Sequence, residues 1–297
     1  MNLVVNDEVN LRIDKYLASI TDYSRELISK MLSDGYILVN DNSVKGSYKV
    51  NVGDIITIKE GYVKEMSVKP QKMSLEIVYE DDYLMVINKP SGLVVHPGNG
   101  NYDNTLVNGL MYYTNNLSDI GEDFRPGIVH RLDKDTSGLM LVAKDNKTHE
   151  LLADDFKNKR IHREYVALLD GVLPENSAII DAPLARSSEN YQKMTVKAGG
   201  KRAVTHLEVI KKYKEYTLVR LVLETGRTHQ IRVHMAYIGY PVHNDPVYNK
   251  RKSDEFGQFL HSEYLKFIHP ITKKELEFRA NLPEEFQKFL DALEKSY

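Results

Sequence analysis

Between Gly127 and Lys144 the chain reads GIVHRLDKDTSGLMLVAK, and its centre, HRLDKDTSG, sets two aspartates among a histidine, an arginine and two hydroxyl side chains. Three chemistries use such clusters. Phosphoryl transfer of the kinase type needs H-R-D-x-x-x-x-N, a glycine-rich phosphate loop and D-F-G. Here Leu132 separates Arg131 from Asp133, Gly98 and Gly100 lack a third glycine, and Asp123–Arg125 reads DFR. Calcium binding fits better at first, with Asp133, Asp135 and Ser137 at loop positions one, three and five and Gly138 at six. Position twelve, which requires a bidentate carboxylate, is Lys144, and Pro126 and Gly127 break any incoming helix. In the third chemistry the segment holds one reactive carboxylate. Thr136, Ser137 and Gly138 make a tight turn before an apolar strand, and Asp133 beside arginines stays ionised as a nucleophile or base. A structural ion pair of Asp133 with Arg131 accounts for the same residues, and both possibilities stand at this level.

The elements around this segment point to two parts. In YSRELISKMLSDGY, Ser24 is expected to cap a helix with Leu27, Ile28, Met31 and Leu32 on one stripe and Gly35 at its end. Short strands follow, broken at Asn40–Asn42 and at Gly53–Asp54. Residues 1–62 are therefore expected to form a small α+β domain, and the polar stretch 63–74, with Pro70, a linker. From Leu75 to residue 297, strand-like runs predominate: LEIVYEDDYLMVINKP split at Glu80–Asp82, then GLMLVAK, REYVALLDGVL, THLEVIKKY and YTLVRLVLETG. Helices are expected at KTHELLADDFKNK and at THQIRVHMAYIG, the latter with Ile231, Met235 and Ile238 on one stripe. Many strands with few helices argue for an α+β domain on a largely antiparallel mixed sheet.

Composition narrows the function classes. The 297 residues are 42% hydrophobic, enough for a substantial core. No apolar run approaches the roughly 18 residues of a membrane helix, and the N-terminus lacks the pattern of a secretory signal, so a cytoplasmic protein without a membrane partner is expected. There is no cysteine, which excludes thiolate catalysis and cysteine-based metal sites. The net charge of −2 conceals a local basic bias, with nine Lys/Arg against three Asp/Glu between Lys197 and Met235 and a second run, KNKRIHR, at Lys157–Arg163. His229, His234 and His243 carry no H-E-x-x-H spacing, and no metal is assigned to them.

Two resemblances add to this. Residues 1–62 resemble the small RNA-binding domain of the ribosomal protein S-four type, through Arg12, Asp14, Lys15, Leu17, Ser24, Arg25, the helix ending at Gly35, Val39–Asn40 and Val52–Gly53–Asp54. The resemblance implies RNA contacts from Arg12, Lys15, Ser24, Arg25 and Lys30. This copy departs from the pattern in carrying seven Lys/Arg against nine Asp/Glu. From Leu75 onward the chain resembles the RNA pseudouridine synthases of the RluA type, and within them the RluD-type enzymes of large-subunit ribosomal RNA. The matching motifs are VINKPSGLVVHPGNG (Val86–Gly100), the H-R-L-D-x-x-T-S-G loop, REYVALLDG (Arg163–Gly171) and LETGRTHQIRVHMAYIGYPVHND (Leu223–Asp245).

The resemblance implies a pseudouridine synthase fold and an isomerase that detaches uracil from its ribose and rejoins it through ring carbon five, with no cofactor and no metal. Asp133 matches the essential aspartate, Arg232 the arginine that pairs with it, Tyr165 the base-stacking tyrosine and Arg131 a residue that holds the everted nucleotide or fills its place. Arg227, Thr228, His229 and Gln230, at a helix start, are expected to contact phosphate. Thr136 and Ser137 belong to the substrate-side loop. His130 is counted with them but reads primarily as a structural partner in the loop, and NKPSGLVVHP as a supporting turn. The implied partner is ribosomal RNA. Transfer RNA, or a silent RNA-binding and ribosome-assembly module, are the alternatives.

Overall fold

The computed structural model describes the chain apart from residues 7–10, 22, 24, 61, 63–67, 99–102, 121–124, 191–192, 252–253, 255 and 296–297. It divides into two compact units, Met1–Met66 and Ser67–Tyr297, each with its own apolar core.

In the small unit, strand β1 (Asn2–Val4), helices α1 (Ile13–Ile20) and α2 (Arg25–Ser33), and strands β2 (Ile37–Val39) and β3 (Ile55–Ile58) form an antiparallel sheet of order β1-β3-β2 with two helices. Helix α2 buries Ile28, Met31 and Leu32, as its 3.6-residue spacing requires. It ends as expected at Gly35, whose φ of +71° only glycine adopts without penalty, and the Tyr36 N–H returns to the Met31 carbonyl at 2.8 Å. Ser24, the expected cap, lies outside the described residues.

The large unit begins with β4 (Glu76–Glu80) and β5 (Leu84–Lys89), then α3 (Leu106–Tyr113), β6 (Ser137–Ala143) and α4 (Asn146–Lys157). Strands β7 (His162–Asp170), β8 (Ser177–Asp181), β9 (Leu184–Arg186), β10 (Met194–Val196), β11 (Val204–Lys212) and β12 (Tyr216–Leu223) follow. Helix α5 (Gln230–Tyr237), strands β13 (Leu260–Ile268) and β14 (Glu275–Arg279), and helix α6 (Glu284–Lys295) complete it. The main sheet has the order β4-β5-β6-β13-β7-β12-β11-β8, with β14 beside the second half of β13. Among the described residues only the β6–β13 pairing is parallel, so the expected α+β class with a largely antiparallel sheet is the one observed. Alternate residues of the central strands serve opposite faces. Met85, Ile87, Met140 and Val142 share a core with Leu106 and Leu110 of α3 and with Ile231 and Met235 of α5. Leu84, Val86, Leu139 and Leu141 pack with Leu152 of α4, while Phe286 and Leu290 of α6 join Val166 and Leu168.

Two expectations need correcting. The segment read as a linker docks from residue 68 onward: Val68 is buried in the main core, the Asn108 amide donates to the Lys69 carbonyl at 2.8 Å, and the Gln71 N–H reaches the Asn108 carbonyl at 2.9 Å. The seam between units falls at 66/67. The stripe expected on α5 is only part of its buried surface: Gln230 through Met235 are all buried, including Arg232 and His234. A chain beginning at Ser67 is expected to keep the stability of the large unit. One beginning at Leu75 should lose about 2–4 kcal/mol, through the missing Val68 side chain and an unpaired Asn108. Equal denaturation midpoints for the two would exclude this docking role.

Candidate active site

The segment singled out in the sequence turns sharply and enters β6. The Thr136 N–H donates to the Asp133 carbonyl at 3.1 Å, closing the turn. Gly138 sits at φ +112°, and a Cβ there would lie 2.3 Å from the Ser262 carbonyl oxygen of neighbouring β13, so side-chain absence and positive φ are both required. Several groups hold the turn from behind. Thr136 Oγ1 accepts from Gln258 at 3.0 Å, and Ser137 Oγ meets His261 Nδ1 at 2.9 Å. Lys89, 1% exposed, donates to the carbonyls of Pro90, Leu93 and Lys134 at 2.8, 2.9 and 2.8 Å. Burial pushes its ammonium down to about 7 against the pull of Asp135 and Asp133, while three carbonyl acceptors match the three N–H bonds of the charged form.

The Asp133 side chain is thereby presented to Arg232 of α5. Arg232 Nη1 donates to Asp133 Oδ2 at 2.9 Å, and its Nε and Nη2 grip both oxygens of Asp245 at 2.7 and 2.9 Å. Asp245, fully buried, also accepts the backbone N–H groups of Val247 and Tyr248 at 2.8 and 3.0 Å. Burial alone would raise the Asp245 carboxyl, but Arg232 and these amides outweigh it and hold it below the ordinary value. Arg232 is likewise opposed by burial and held charged by its two carboxylates. The expected Asp133–Arg232 pairing is present; the ion pair of Asp133 with Arg131 is not. Arg131 instead donates from Nη1 to His96 Nε2 at 2.9 Å, and His96 Nδ1 faces the Pro97 carbonyl at 3.1 Å, which fixes the proton on Nδ1.

Asp133 Oδ1 takes no hydrogen bond from a described residue. His229 Nε2 lies 3.8 Å from it. His229 has φ +56° at the start of α5, and its Nδ1 meets the Tyr248 hydroxyl at 2.7 Å. The Met194 N–H already donates to that phenol oxygen, so the phenol hydrogen points to Nδ1 and the imidazole hydrogen sits on Nε2, toward Asp133. Burial, with Arg232 and Arg131 nearby, lowers His229 below its usual value despite Asp133 and Asp245. Tyr165, on β7, borders the same cleft, and its hydroxyl makes no hydrogen bond to a described residue. Arg131, Asp133, Tyr165, Arg227, His229 and Arg232 thus converge on one concave site. It offers a carboxylate with one pinned and one open oxygen, beside an aromatic ring.

The other expected residues separate from these. Gln230 is buried with its amide fully used: Oε1 accepts from Thr225 Oγ1 and the Arg227 N–H, and Nε2 donates to the Val204 carbonyl and Thr205 Oγ1. It shapes the 225–229 turn and cannot contact phosphate. Arg227 and Thr228 are exposed on that turn. Ser137 and Thr136 are buried supports, although Thr136 reaches the cleft floor. His130 is a support too: its Nε2 accepts the Leu141 N–H at 2.9 Å, and burial, helped by Arg163, lowers it to about 3, so it is neutral. His234 is taken by Thr205 and the Ala182 carbonyl, and His243 by Asp170, so the three histidines do not converge. Asp135 is half-buried, and its carbonyl accepts from Ser91.

In the small unit, Arg12 grips Asp14 with Nε and Nη2 at 3.1 and 3.0 Å, and Arg25 adds a bond of 2.9 Å. Burial would raise the Asp14 carboxyl, but Arg25 and Arg12 outweigh it and lower it. Both guanidinium side chains remain about half exposed, Lys15 is exposed on α1, and Lys30 lies in the last turn of α2.

Residues 83–237 match the RNA pseudouridylate synthase family, and residues 11–56 match the S4 domain. The chain belongs to the RNA pseudouridylate synthase family. It is 46% identical to an uncharacterised RNA pseudouridine synthase of Bacillus subtilis, over 96% of this chain and 95% of that protein. It is 44% identical to ribosomal large subunit pseudouridine synthase D of Zymomonas mobilis, over 96% and 94% respectively. The solved structure of human RNA Pseudouridylate Synthase Domain Containing 1 superposes with a TM-score of 0.59 at 26% identity, covering 74% of this chain and 95% of that one. As a pseudouridine synthase the protein is an RNA-modifying isomerase. Asp245, His96 and Lys89 lie inside the longer motifs with nothing in the sequence to mark their roles, because a buried counter-charge shows there only as one more polar residue.

Two outcomes are expected. Asp245→Asn leaves Arg232 with one carboxylate in a buried site, so stability should fall by about 3–5 kcal/mol, with loss of turnover; a variant as stable as the parent in urea would refute the anchoring role. His130 is neutral when folded and free to protonate when unfolded. Its contribution is therefore intact above pH 6.5 and is lost as pH falls from 6.5 toward about 3. His130→Gln, which can still accept the Leu141 N–H, should reduce the slope of stability against pH in that window by about one proton.

Proposed function

We propose that this enzyme converts specific uridines of large-subunit ribosomal RNA to pseudouridine in the cytoplasm, with Asp133 as the reactive carboxylate. The observation that carries the assignment is the asymmetry of that carboxylate: Oδ2 is held by Arg232 while Oδ1 opens into the cleft bordered by Tyr165. Arg232, itself anchored by Asp245, keeps Asp133 ionised and fixes its direction. Tyr165 takes the uracil ring against its own, with its hydroxyl free for proton exchange. In the reaction the bond from ribose C1′ to N1 breaks and one to C5 forms, the C5 proton leaves and N1 gains a proton, so no oxidant or reductant is consumed. A uridine within folded RNA reaches the carboxylate only when everted from its stack. Arg131, exposed at the mouth and steadied by His96, is placed to hold that nucleotide or to fill its place.

The ribosomal target rests on the Zymomonas mobilis relative, whose name specifies the large subunit and which aligns along nearly the whole chain. The small unit supports it: Arg12 and Arg25, held by one buried carboxylate, with Lys15 and Lys30, present cations suited to structured RNA by shape and phosphate contact. Asp133→Asn should abolish product, by at least about 10³-fold, while RNA affinity stays within a few-fold. Measurable turnover on the true substrate would overturn the assignment. Mapping pseudouridines across total RNA with and without the gene should show sites missing from large-subunit ribosomal RNA; losses confined to transfer RNA would move the target there.

A further inference from the structure

Beside the catalytic cleft lies a second cavity of about 550 Å³, and the two share Arg131, Asp133, Tyr165, Leu223, Arg227 and His229. Its far wall is formed by the end of α4, the start of β7 and the 224–228 turn. Arg163 stands there, two residues before Tyr165 on β7 and therefore on the same strand face, about 7 Å along it. Its guanidinium lies over the Phe156 ring at 5.1 Å and within 3.6 Å of where a Gly226 Cβ would sit. It is a partly buried arginine whose side chain makes no hydrogen bond or ion pair to any described residue, and its Nε is buried without a partner. An arginine stacked on an aromatic ring with its Nε desolvated and its donors unspent awaits an acceptor.

The charges around it specify that acceptor. The cavity is bordered by Arg131, Lys157, Lys159, Arg163 and Arg227 against two carboxylates, Asp133 and Glu224. Asp133 is taken by Arg232, and Glu224 by His206 at 2.8 Å, Arg202 at 3.5 Å and Lys159 at 3.6 Å. Lys157 is exposed at the rim, and Arg227 is tethered through Nε to the Arg202 carbonyl at 3.1 Å. Both carboxylates are occupied and Arg163 is not, so the vacancy in the charge pattern is for an anion. Its neighbour on the strand face is the residue against which the uracil stacks.

We infer that this second cavity is a phosphodiester subsite, in which Arg163, propped by Phe156, binds the backbone linkage adjoining the everted uridine. The inference rests on the Asp133 site acting on an everted RNA base. Distance along the strand separates base from phosphate, so the two are read together: Tyr165 takes the ring and Arg163 fixes the register of the strand. Phe156 positions Arg163 and touches no substrate itself.

The test uses the full chain and a synthetic stem–loop RNA containing one uridine that mapping has shown to be converted. Methylphosphonate linkages, which remove one phosphate charge, are placed in turn on either side of that uridine. Wild type should convert the unmodified RNA, lose roughly tenfold in affinity at one neutralised linkage, and Arg163→Gln should lose as much on unmodified RNA and nothing further at that linkage. Arg163→Gln should also lower the salt slope of binding by about one, with kcat kept within a few-fold. Losses from protein and RNA changes that simply multiply would show that Arg163 and the phosphate do not touch. Should Arg163→Gln fail to fold, as melting would reveal, Arg163→Lys replaces it, retaining the charge and much of the coupling. Wild type indifferent to neutralisation at every flanking linkage overturns the proposal whatever the variants do. No conversion of the unmodified RNA by wild type would instead sink the assignment of the Asp133 site.

Discussion

One guanidinium, that of Arg232, is shared between two carboxylates, and the geometry of the site follows from it. A buried arginine with a single partner would be costly to desolvate and loosely aimed. Asp245 removes both problems: it engages Nε and Nη2 in a bidentate grip and is itself fixed by two backbone N–H groups, leaving Nη1 as the donor for Asp133. Tyr248, one of the residues supplying those amides, returns its ring to Arg232 at 5.1 Å and its hydroxyl to His229. The short segment 245–248 therefore sets the orientation of both Arg232 and His229 beside Asp133. This arrangement also explains why Gln230 through Met235 of α5 are all buried: the helix is a carrier for an interior charge, and Gln230, Arg232 and His234 are each consumed by a partner.

The second requirement is that Asp133 arrive at that guanidinium without freedom to wander. Parallel contact of β6 with β13 brings the loop against a strand so closely that residue 138 has no room for a side chain. Lys89, Gln258 and His261 then tie three residues of the turn, Lys134, Thr136 and Ser137, to the end of β5 and to the start of β13. Each tie uses a buried polar group whose loss would strand its partner, so the turn is defined by satisfied hydrogen bonds more than by apolar packing. A carboxylate pinned this way needs little reorganisation when substrate enters, which is where electrostatic preorganisation has its effect.

These same ties explain what could and could not be read from the sequence. Strands β4 to β7, β11 and β12 were legible as apolar, β-branched or aromatic runs and helices α2 and α4 through apolar residues at helical spacing, and Gly35 ends α2 where a left-handed residue is needed. Helix α3, LVNGLMYY, was not, since Asn108 and Gly109 disfavour a helix locally and are retained for tertiary reasons: Asn108 closes the capping box with Thr105, and Gly109 makes room for Met73. Strand β13 hid behind His261 and Ser262, polar in sequence but buried and paired in the fold. At the site, Asp133, Arg232 and Tyr165 were named through the family resemblance of the motifs that contain them. Gln230 was misjudged because a polar residue at a helix start is equally fit to meet solvent or to fold inward, and only the tertiary neighbours Val204 and Thr205 decide.

Charge makes the same distinction between whole-chain and local properties. A net charge of −2 gives the chain no general attraction for a polyanion. Cations nevertheless outnumber carboxylates around the catalytic mouth, and the carboxylates there are engaged by arginines or histidine. Long-range, salt-sensitive capture of any RNA is thereby kept weak, while an RNA whose backbone meets these few fixed cations gains short-range, desolvated contacts. On the proposed reading, in which one base is everted from a folded RNA, this division is useful. Energy is released only when backbone and base are both in register, and that release is what can offset the cost of unstacking.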